Sequence, residues 1–429
     1  MSEDTDTIAG QAARPTLWRN RDFLTFWSGE TLSLFGEQVT LFALPLTAVF
    51  ALGSGPEQLG LPRFLQMIPY LLFGPLAGVW VDRHRRRPAM LSANLTRMIL
   101  IGLVPVLAAV GHLSMPELLV ITFGAGSAAV VYDVSWMSFV PDLVRDPEYL
   151  VEANARLGTS QSAATAAGPG LAGALVSLLT APIALAANAA TYLVSAISLL
   201  LIRTVEEPPR PAERPKLTRD LIDGLRFVAG NRYLRAVALV GGFCNFFISA
   251  NQPIFILYAV RDRHFPASAL GLVLSLGAVG GVLGALLAAS LIRGMRPGHL
   301  YIASLTLAFA APLIIPAAAG SRTLMGIEFT VAYFLSYLGV SVVNVVILSL
   351  RQTITPASLM GRMNAAMRAV MFGLGALGGP AAGLVATVLG LHDALWLSAF
   401  LGTAFLATVF TSPVSRLRAF PSRDGSVTR

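Results

Sequence analysis

Two acidic residues lie inside the first long apolar segment of this 429-residue chain. Glu30, Ser33, Glu37 and Thr40 follow a spacing of i, i+3, i+7 and i+10, which places them along one face of a helix. Counted from Phe23 at about 1.5 Å per residue, Glu30 lies about 10 Å and Glu37 about 21 Å along that helix. Desolvation favours the neutral form of an acid, so carboxylates in such a setting are candidates for binding and releasing protons.

Glu37 is the preferred proton carrier because it lies nearest the middle of the segment, and Glu30 is the second candidate. Arg63, in the next apolar segment, lies at a similar depth. Two interpretations remain open: Glu37 exchanges protons, or Arg63 holds it ionised in a structural ion pair. The stripe as a whole, including Ser33 and Thr40, is predicted to face a central cavity.

A second set of opposite charges, Arg97 and Asp133, is predicted at equal depth in two consecutive antiparallel segments. Arg97 lies nine residues after Pro88, and Asp133 lies eight residues before Pro141. Either charge alone would be costly in an apolar environment, so the two are expected to pair. A fixed structural pair is one interpretation, and Glu30 is a competing partner for Arg97. Asp133 is also a proton-coupling candidate.

The segments that position these residues must be membrane helices. Apolar residues make up 55% of the chain, charged residues only 13%, and the mean hydropathy is +0.68. Ordinary soluble domains carry roughly 25% charged residues. These values exclude a water-soluble enzyme, a disordered protein and a nucleic-acid-binding domain. The single cysteine, Cys244, excludes an intrachain disulfide and a thiolate metal cluster.

Twelve apolar stretches are long enough to cross a bilayer as helices, for which about 20 residues suffice. Their continuous apolar runs, without the alternation of a barrel strand, favour helices. The predicted spans are 23–50, 58–81, 89–111, 116–140, 153–178, 182–202, 234–260, 266–291, 298–319, 323–350, 364–390 and 393–413.

Basic residues concentrate on one side of these spans. With the N-terminus inside, 24 of the 31 Lys and Arg residues fall in inside segments, and three (Arg261, Arg263 and Arg322) fall outside. The positive-inside rule therefore predicts that both termini are cytoplasmic in a multi-pass membrane protein. The net charge of +8 is explained in this way without nucleic acid.

The second half of the chain resembles the first when it is shifted by 211 residues. Features at equal depth then coincide: Gly60 with Gly271, Pro105 with Pro316, Glu117 with Glu328, Asp133 with Asn344, and Gly168-Pro169 with Gly379-Pro380. The pattern predicts an all-α membrane protein whose 12 transmembrane helices form two pseudo-symmetric six-helix bundles. Coincidence within a biased composition is the alternative.

This organisation divides the chain into five parts. A Pro- and charge-rich stretch followed by Leu217, Leu221, Leu225 and Val228 on one face predicts a linker with an interfacial helix. The predicted parts are a cytoplasmic N-terminal tail (1–22), an N-terminal bundle (23–202), a cytoplasmic linker (203–233), a C-terminal bundle (234–413) and a cytoplasmic C-terminal tail (414–429).

The loop after the second span reads GVWVDRHRRR from Gly78 to Arg87. Gly78 is expected to let a neighbouring helix approach, and Asp82 to accept from a facing helix N-terminus or to pair with arginine. Arg86 and Arg87 are expected to bind anionic headgroups. With Arg83, these residues resemble the Gly-x-x-x-Asp-Arg-x-Gly-Arg-Arg loop of the major facilitator superfamily, and the resemblance implies that superfamily's fold.

Two later spans carry glycine–proline runs. Proline bends a helix and small residues allow sliding contact. The runs resemble the Gly-x-x-x-Gly-Pro-x-x-Gly-Gly antiporter motif of the superfamily's exporter branches. The resemblance implies a gate between the two bundles, and close packing alone is the other interpretation. The matching residues are Gly168, Pro169 and Gly173 in the fifth span and Gly379, Pro380 and Gly383 in the eleventh.

The segments from Arg21 to Glu37 and from Pro141 to Ala155 look like the drug, macrolide and enterobactin exporters of this superfamily. The resemblance implies a secondary active transporter of the bacterial plasma (inner) membrane. It would export a hydrophobic or amphipathic small molecule in exchange for protons by alternating access. In related transporters, charges near Arg97 and Asp133 join the loop in a conformational latch, which is the alternative to a fixed pair.

The expected partners are a small-molecule substrate, protons and membrane lipid, without nucleic acid, and the chain is expected to be a monomer. No cofactor or metal is expected, and no GxxxxGK[ST] loop for ATP occurs in the sequence. An importer or facilitator of the same fold, and a transport-dead sensor or assembly partner, remain alternatives. The candidates for contacting substrate in the cavity are Ser33, Thr40, Asn245 and Asn344.

Overall fold

The computed structural model describes residues 17–144, 147–204, 206, 217–356 and 359–420, and the regular secondary structure in these ranges is helical, without strands. Short loops connect the helices, so neighbours along the chain run antiparallel. The first half contains α1 (Arg21–Phe50), α2 (Pro56–Arg83), α3 (Arg86–Ala109), α4 (Met115–Leu143), α5 (Pro147–Leu178) and α6 (Ala181–Leu201).

A short helix, α7 (Leu217–Gly230), leads into the second half. There, α8 is continued by a π-helical turn (Tyr258–Asp262), and α10 continues through a 3-10 turn (Ala311–Leu313) into the short α11. The second half contains α8 (Arg232–Leu257), α9 (Ala267–Gly294), α10 (Pro297–Ala310), α11 (Ile314–Ala317), α12 (Arg322–Ile354), α13 (Met360–Leu389) and α14 (Leu391–Thr411).

Each predicted span falls on one long helix or on a helix with its continuation. The largest boundary difference is at α5, which begins at Pro147 rather than at 153. Within the described ranges, ten helices are long and apolar enough to cross a membrane. The other two predicted spans correspond to α2 and α5, which are 28 and 32 residues long and exceed the roughly 20 residues that a crossing needs.

Several helices begin at a short polar side chain. The Asn20 side-chain oxygen accepts a 3.0 Å hydrogen bond from the Phe23 amide at the start of α1. Asn231 accepts in the same way from Tyr233 at the start of α8, and Ser321 from Leu324 at the start of α12. These caps satisfy amide donors that the first turn of a helix leaves without partners, so short polar residues mark the start of these three helices.

The two ends of the helix assembly differ in how the halves pack. We call the end where α1 begins and α14 ends the basic end, because Arg83, Arg85 and Arg296 lie there, and we call the other the opposite end. At the opposite end, one hydrophobic cluster draws buried residues from both halves. It includes Leu185 from the first half and Phe255 from the second.

At the basic end, each half has its own hydrophobic cluster. The cluster of the first half includes Phe26 and Phe139, whose ring centroids are 5.5 Å apart. The cluster of the second half includes Tyr301 and Val346. Close van der Waals packing is a main attraction between helices in a membrane, so the two halves are joined mostly at the opposite end, where they share a cluster.

The halves meet along two helix pairs, α2 with α13 and α5 with α9. At the opposite end these pairs touch backbone to backbone. A Cβ added at Gly379 would lie 2.7 Å from the Gly60 carbonyl oxygen, and one added at Gly173 would lie 2.9 Å from the Gly271 Cα. Both distances are too short for any residue but glycine. At the basic end, an added Cβ at Gly158 of α5 meets nothing within 4 Å.

The amphipathic segment of the linker forms α7, which packs against α13. An added Cβ at Gly224 would collide with the Arg362 backbone, and Val228 is buried in the cluster of the second half. Leu225 remains exposed, and Leu217 lies outside the described side chains. The helix therefore has one face on the protein and another face free.

Candidate functional site

Arg97 of α3 is the centre of a polar cluster inside the first half. Its side chain is only 7% exposed, and its Nη2 donates a 2.6 Å hydrogen bond to the Tyr192 hydroxyl of α6. The guanidinium also stacks 4.2 Å from the centroid of that ring. On the other side, Nη2 lies 3.6 Å from Oε1 of Glu37, whose side chain is 47% exposed. This is an ion pair, but it is too long for a hydrogen bond.

Tyrosine hydroxyls hold the other two acidic residues of the cluster. Glu30 is buried and accepts a hydrogen bond from Tyr132 of α4. Asp133 accepts a 2.6 Å hydrogen bond from Tyr70 of α2. A carboxylate with such a donor loses less on leaving water than an unpartnered one.

The expected pairing of Arg97 with Asp133 is wrong. The two lie within electrostatic range of each other, but the ion pair that Arg97 forms within 4 Å is with Glu37. Equal depth fixed the height of both groups but not their direction around the helix axes. Tyr70 lies against Asp133 instead, and Tyr192 orients the guanidinium.

The alternative pairing of Glu37 with Arg63 is not formed either. Arg63 Nη1 donates to the Gln66 side chain at 3.3 Å, and its Nε is buried without a hydrogen-bond partner. Arg63 lines a small recess between α1, α2 and α8, which Thr40 and Gln252 also line. Residues of both halves of the molecule therefore line the recess.

The polar stripe of α1 does not face a cavity as a whole, which corrects that prediction. Ser33 and Thr40 are buried, and Asn188 of α6 donates a hydrogen bond to the Thr40 hydroxyl. An added Cβ at Gly36 would collide with Thr191 of α6, so this side of α1 packs closely on α6. Of the stripe, Glu37 alone is half-exposed and belongs to an ion pair.

The equivalent region of the second half is apolar. Between α8, α10 and α12 lies an open cavity, whose empty space together with the solvent at its mouth is about 650 Å³; Phe247, Ile248 and Ala308 are among the residues that border it. The predicted contact residue Asn245 is not among its lining residues and donates instead to the Gly241 carbonyl of its own helix. Asn344 is exposed.

The loop motif is held by protein groups in this structure. Arg86 forms an ion pair with Asp142 at the end of α4, and Arg87 donates to the Leu200 carbonyl at 2.9 Å. These contacts differ from the expected binding of lipid headgroups, because α4 and α6 end beside the loop. Arg83 is exposed, and the Asp82 side chain lies outside those that the structure describes.

Gly78 does not serve a close helix contact here, contrary to expectation. Nothing lies within 4 Å of an added Cβ at this position. Gly78 belongs to the basic end of α2, where the two halves have separate hydrophobic clusters. The same helix is in backbone contact at its other end, through Gly60.

The glycine–proline runs of α5 and α13 lie at the contact between the halves. An added Cβ at Gly271 of α9 would lie 2.5 Å from the Pro169 carbonyl oxygen, and one at Gly383 would lie 2.7 Å from that of Pro56. Pro380 directly follows the close contact of Gly379 with Gly60. Gly168 differs, because its added Cβ would meet the Gln38 side chain of α1 within the first half.

Sequence reasoning missed the tyrosines that organise the cluster: Tyr70, Tyr132 and Tyr192. Each lies within an apolar span, where a buried hydroxyl needs a hydrogen-bond partner. Because the same spans carry few other polar groups, this requirement could have indicated the acidic and basic residues of the cluster as the partners of the tyrosines. Tyr70 also stacks on Phe372 of α13, with ring centroids 5.4 Å apart. The tyrosine that donates to Asp133 therefore also contacts the second half. Among the described residues, no group of three or more His, Cys, Asp or Glu side chains is arranged to hold a metal ion.

A family model described as the Major Facilitator Superfamily matches residues 26–380 of the chain. Macrolide efflux protein A of Streptococcus pyogenes is 24% identical over 243 residues, 56% of this chain. That match spans 58% of the efflux protein's own length. The multidrug efflux pump Tap of Mycolicibacterium fortuitum is 27% identical, covering 83% of this chain and 87% of the pump. The enterobactin exporter EntS of Citrobacter koseri is 26% identical over 67% of each chain.

Solved structures agree on the fold. A point variant of the nucleoside transporter NupG superposes with a TM-score of 0.76 at 11% identity, covering 91% of this chain and 99% of that one. A bacterial homologue of the iron transporter ferroportin in an inward-facing state superposes with a TM-score of 0.70 at 19% identity, covering 92% and 99%. The resemblance based on the loop and glycine–proline motifs is confirmed, and so is the fold of two six-helix bundles.

Proposed function

This chain belongs to the Major Facilitator Superfamily, and we propose that it is a proton-coupled exporter of hydrophobic or amphipathic small molecules. The family is one of transporters, so the protein is a multi-pass membrane transporter and not an enzyme. The direction of transport, the coupling ion and the substrate class are the proposed part.

We place the basic end in the cytoplasm. The loops and tails of that end carry most of the arginines, and positively charged segments are retained inside. With this orientation, the opposite end, where the halves share one core, faces outward. The structure is then an inward-facing state, and export requires that the glycine contacts between α5 and α9 and between α2 and α13 open while the basic end closes.

The observation that carries the proton-coupling proposal is the Glu37–Arg97 pair. Arg97 is buried and fixed by Tyr192, whereas Glu37 is half-exposed and lies 3.6 Å away without a hydrogen bond. Protonation of Glu37 removes its attraction to Arg97 and leaves the arginine without its counter-charge. The two protonation states therefore favour different arrangements of α1 and α3, which is what coupling requires. Glu30 and Asp133, each held by a tyrosine, are the further candidates.

The proposed cargo is a drug, macrolide or siderophore-like molecule with a large apolar part. The relatives named above are a macrolide efflux protein, a multidrug efflux pump and an enterobactin exporter. An apolar cavity in the second half suits such a cargo. The cargo enters from the cytoplasm or the inner leaflet and leaves outward, and protons move inward in exchange.

The proposal is tested by exchange in proteoliposomes. Susceptibility of a pump-deleted bacterium that expresses the chain is first tested against a compound panel, which identifies an exported compound. That compound and a pH-sensitive dye are then enclosed in proteoliposomes that contain the purified chain. We expect an outward compound gradient to drive protons inward in the wild type, and Glu37→Gln to reduce this exchange about tenfold or more. Glu117→Gln, the same substitution at an exposed site in the first turn of α4, is the matched control.

Wild-type exchange in Glu37→Gln would refute Glu37 as the proton carrier, and the same assay on Glu30→Gln and Asp133→Asn would then identify another carboxylate. Compound movement that is independent of the proton gradient would contradict antiport and favour a facilitator. Proton and compound movement in the same direction would favour an importer.

A further inference from the structure

The apolar cavity of the second half occupies the positions that hold charges in the first half. Shifting α1 by 211 residues places it on α8 and its π-helical turn, and shifting α3 places it on α10 and α11. Ile248 then takes the place of Glu37, and Ala308 takes the place of Arg97. Both of these replacements line the cavity. The space that an ion pair fills in one half is therefore open and apolar in the other.

The lining of the cavity includes a buried polar atom without a hydrogen-bond partner. Tyr333 of α12 is a lining residue, and its hydroxyl is buried without a hydrogen bond. A buried donor in this condition costs free energy that a ligand acceptor would recover. Two other polar groups of the lining have partners: Ser336 donates to the Ala308 carbonyl at 3.0 Å, and Asn251 donates to the Phe247 carbonyl at 3.0 Å.

The cavity also adjoins the recess between the halves. Gln252 lines both spaces, and the recess contains Arg63 with its unpartnered Nε. No carboxylate or basic side chain lines the cavity itself. An uncharged group fits there, because a buried charge would find no counter-charge.

We propose that this cavity is a cargo subsite for an uncharged aromatic or polycyclic group that carries a hydrogen-bond acceptor, with the Tyr333 hydroxyl as donor. This inference rests on the proposed function and assigns the cargo and the coupling charges to different halves.

Two matched probes test the subsite, tritiated 9-fluorenone and tritiated fluorene, which differ in one carbonyl group. Binding is measured on the purified full chain in nanodiscs without a proton gradient, and empty nanodiscs report partition into lipid. We expect saturable binding of both, with fluorenone about fivefold tighter because it accepts from Tyr333. Tyr333→Phe is expected to lower fluorenone affinity to that of fluorene and to leave fluorene unchanged.

A second variant fills the space. Ala308→Phe is expected to lower the affinity for both probes about tenfold or more, because the new ring occupies the cavity. Ala303→Phe, on an exposed position of the same helix, is the matched control and is expected to bind as the wild type does. Cys244 is the only cysteine and lies in the lining, so its alkylation by N-ethylmaleimide should slow in the presence of fluorenone.

The proposal is overturned if neither probe binds saturably above empty nanodiscs, or if Ala308→Phe binds as tightly as Ala303→Phe. An equal effect of Tyr333→Phe on both probes would overturn the assigned role of its hydroxyl. Because the assay uses no gradient, failure of the subsite and failure of proton coupling are separate results.

Discussion

The two halves pack closely at one end of their contact and loosely at the other. At the opposite end, α5 and α9 touch through Gly173 and Gly271, and one hydrophobic cluster spans both halves. At the basic end, an added Cβ at Gly158 meets nothing, and each half has a cluster of its own. One helix, α5, takes part in both situations. Both positions are glycines, so the close approach of α9, and not the absence of a side chain alone, distinguishes the closed end from the open end.

The strongest test of this comparison adds volume where the halves touch. Gly173→Leu is expected to prevent closure of the opposite end, because the new side chain collides with α9. A clash of about 1–3 kcal/mol shifts the ratio of closed to open molecules by roughly 5- to 150-fold. The measurement is the distance between spin labels at His112→Cys and Arg322→Cys, two exposed positions of that end, in a Cys244→Ala background.

Gly158→Ala, on the same helix, is the matched control. The open space around it predicts an unchanged label distance. If both variants widened the distance equally, the packed and open ends would not differ as described.

A smaller effect is expected from a hydrogen bond that crosses the same end. Arg261, in the π-helical turn after α8, donates at 3.0 Å to the Ser54 carbonyl between α1 and α2. Arg261→Gln replaces the guanidinium with a shorter side chain that ends before that carbonyl, and we expect the ratio of closed to open molecules to fall about fivefold, since such a bond contributes about 1 kcal/mol. The same label pair reports the change. Arg263→Gln, two residues away, whose Nε donates to Tyr258 within the second half, is the control.

The smallest effect is expected at the periphery of the contact. Thr387 of α13 donates to the Glu57 carboxylate of α2 at 3.4 Å, in an exposed position. Thr387→Val should change the closed fraction less than about twofold, because an exposed and long hydrogen bond contributes little. A larger shift from Thr387→Val than from Arg261→Gln would contradict the ranking by burial and contact distance.

The helices themselves were predictable to within a few residues. Continuous apolar runs set the spans, and residues such as Asn20 and Ser321 mark where α1 and α12 begin. Hydropathy and length act locally along the chain, so a single sequence contains them. The glycine–proline runs also pointed correctly to helices at the contact between the halves, although Gly168 faces α1 instead.

The partners of the charges were not predictable in the same way. Depth placed Arg97 level with Asp133, yet Arg97 pairs with Glu37, and Tyr70 holds Asp133. Depth comes from counting residues, whereas direction depends on helix rotation and on the side chains between two groups. The cavity in the second half is a feature of the same kind, since it requires Ala308 and Ile248 from different helices to face one space.

The central claim is that the packed end faces outward and the open end faces the cytoplasm. Labelling in intact cells with a membrane-impermeant maleimide tests it most directly, using His112→Cys at the opposite end and Arg85→Cys at the basic end, each in a Cys244→Ala background. Permeabilised cells, in which both positions should react, are the control. We predict that intact cells label His112→Cys and spare Arg85→Cys. Labelling of Arg85→Cys but not of His112→Cys would contradict the inward-facing assignment and the export mechanism built on it.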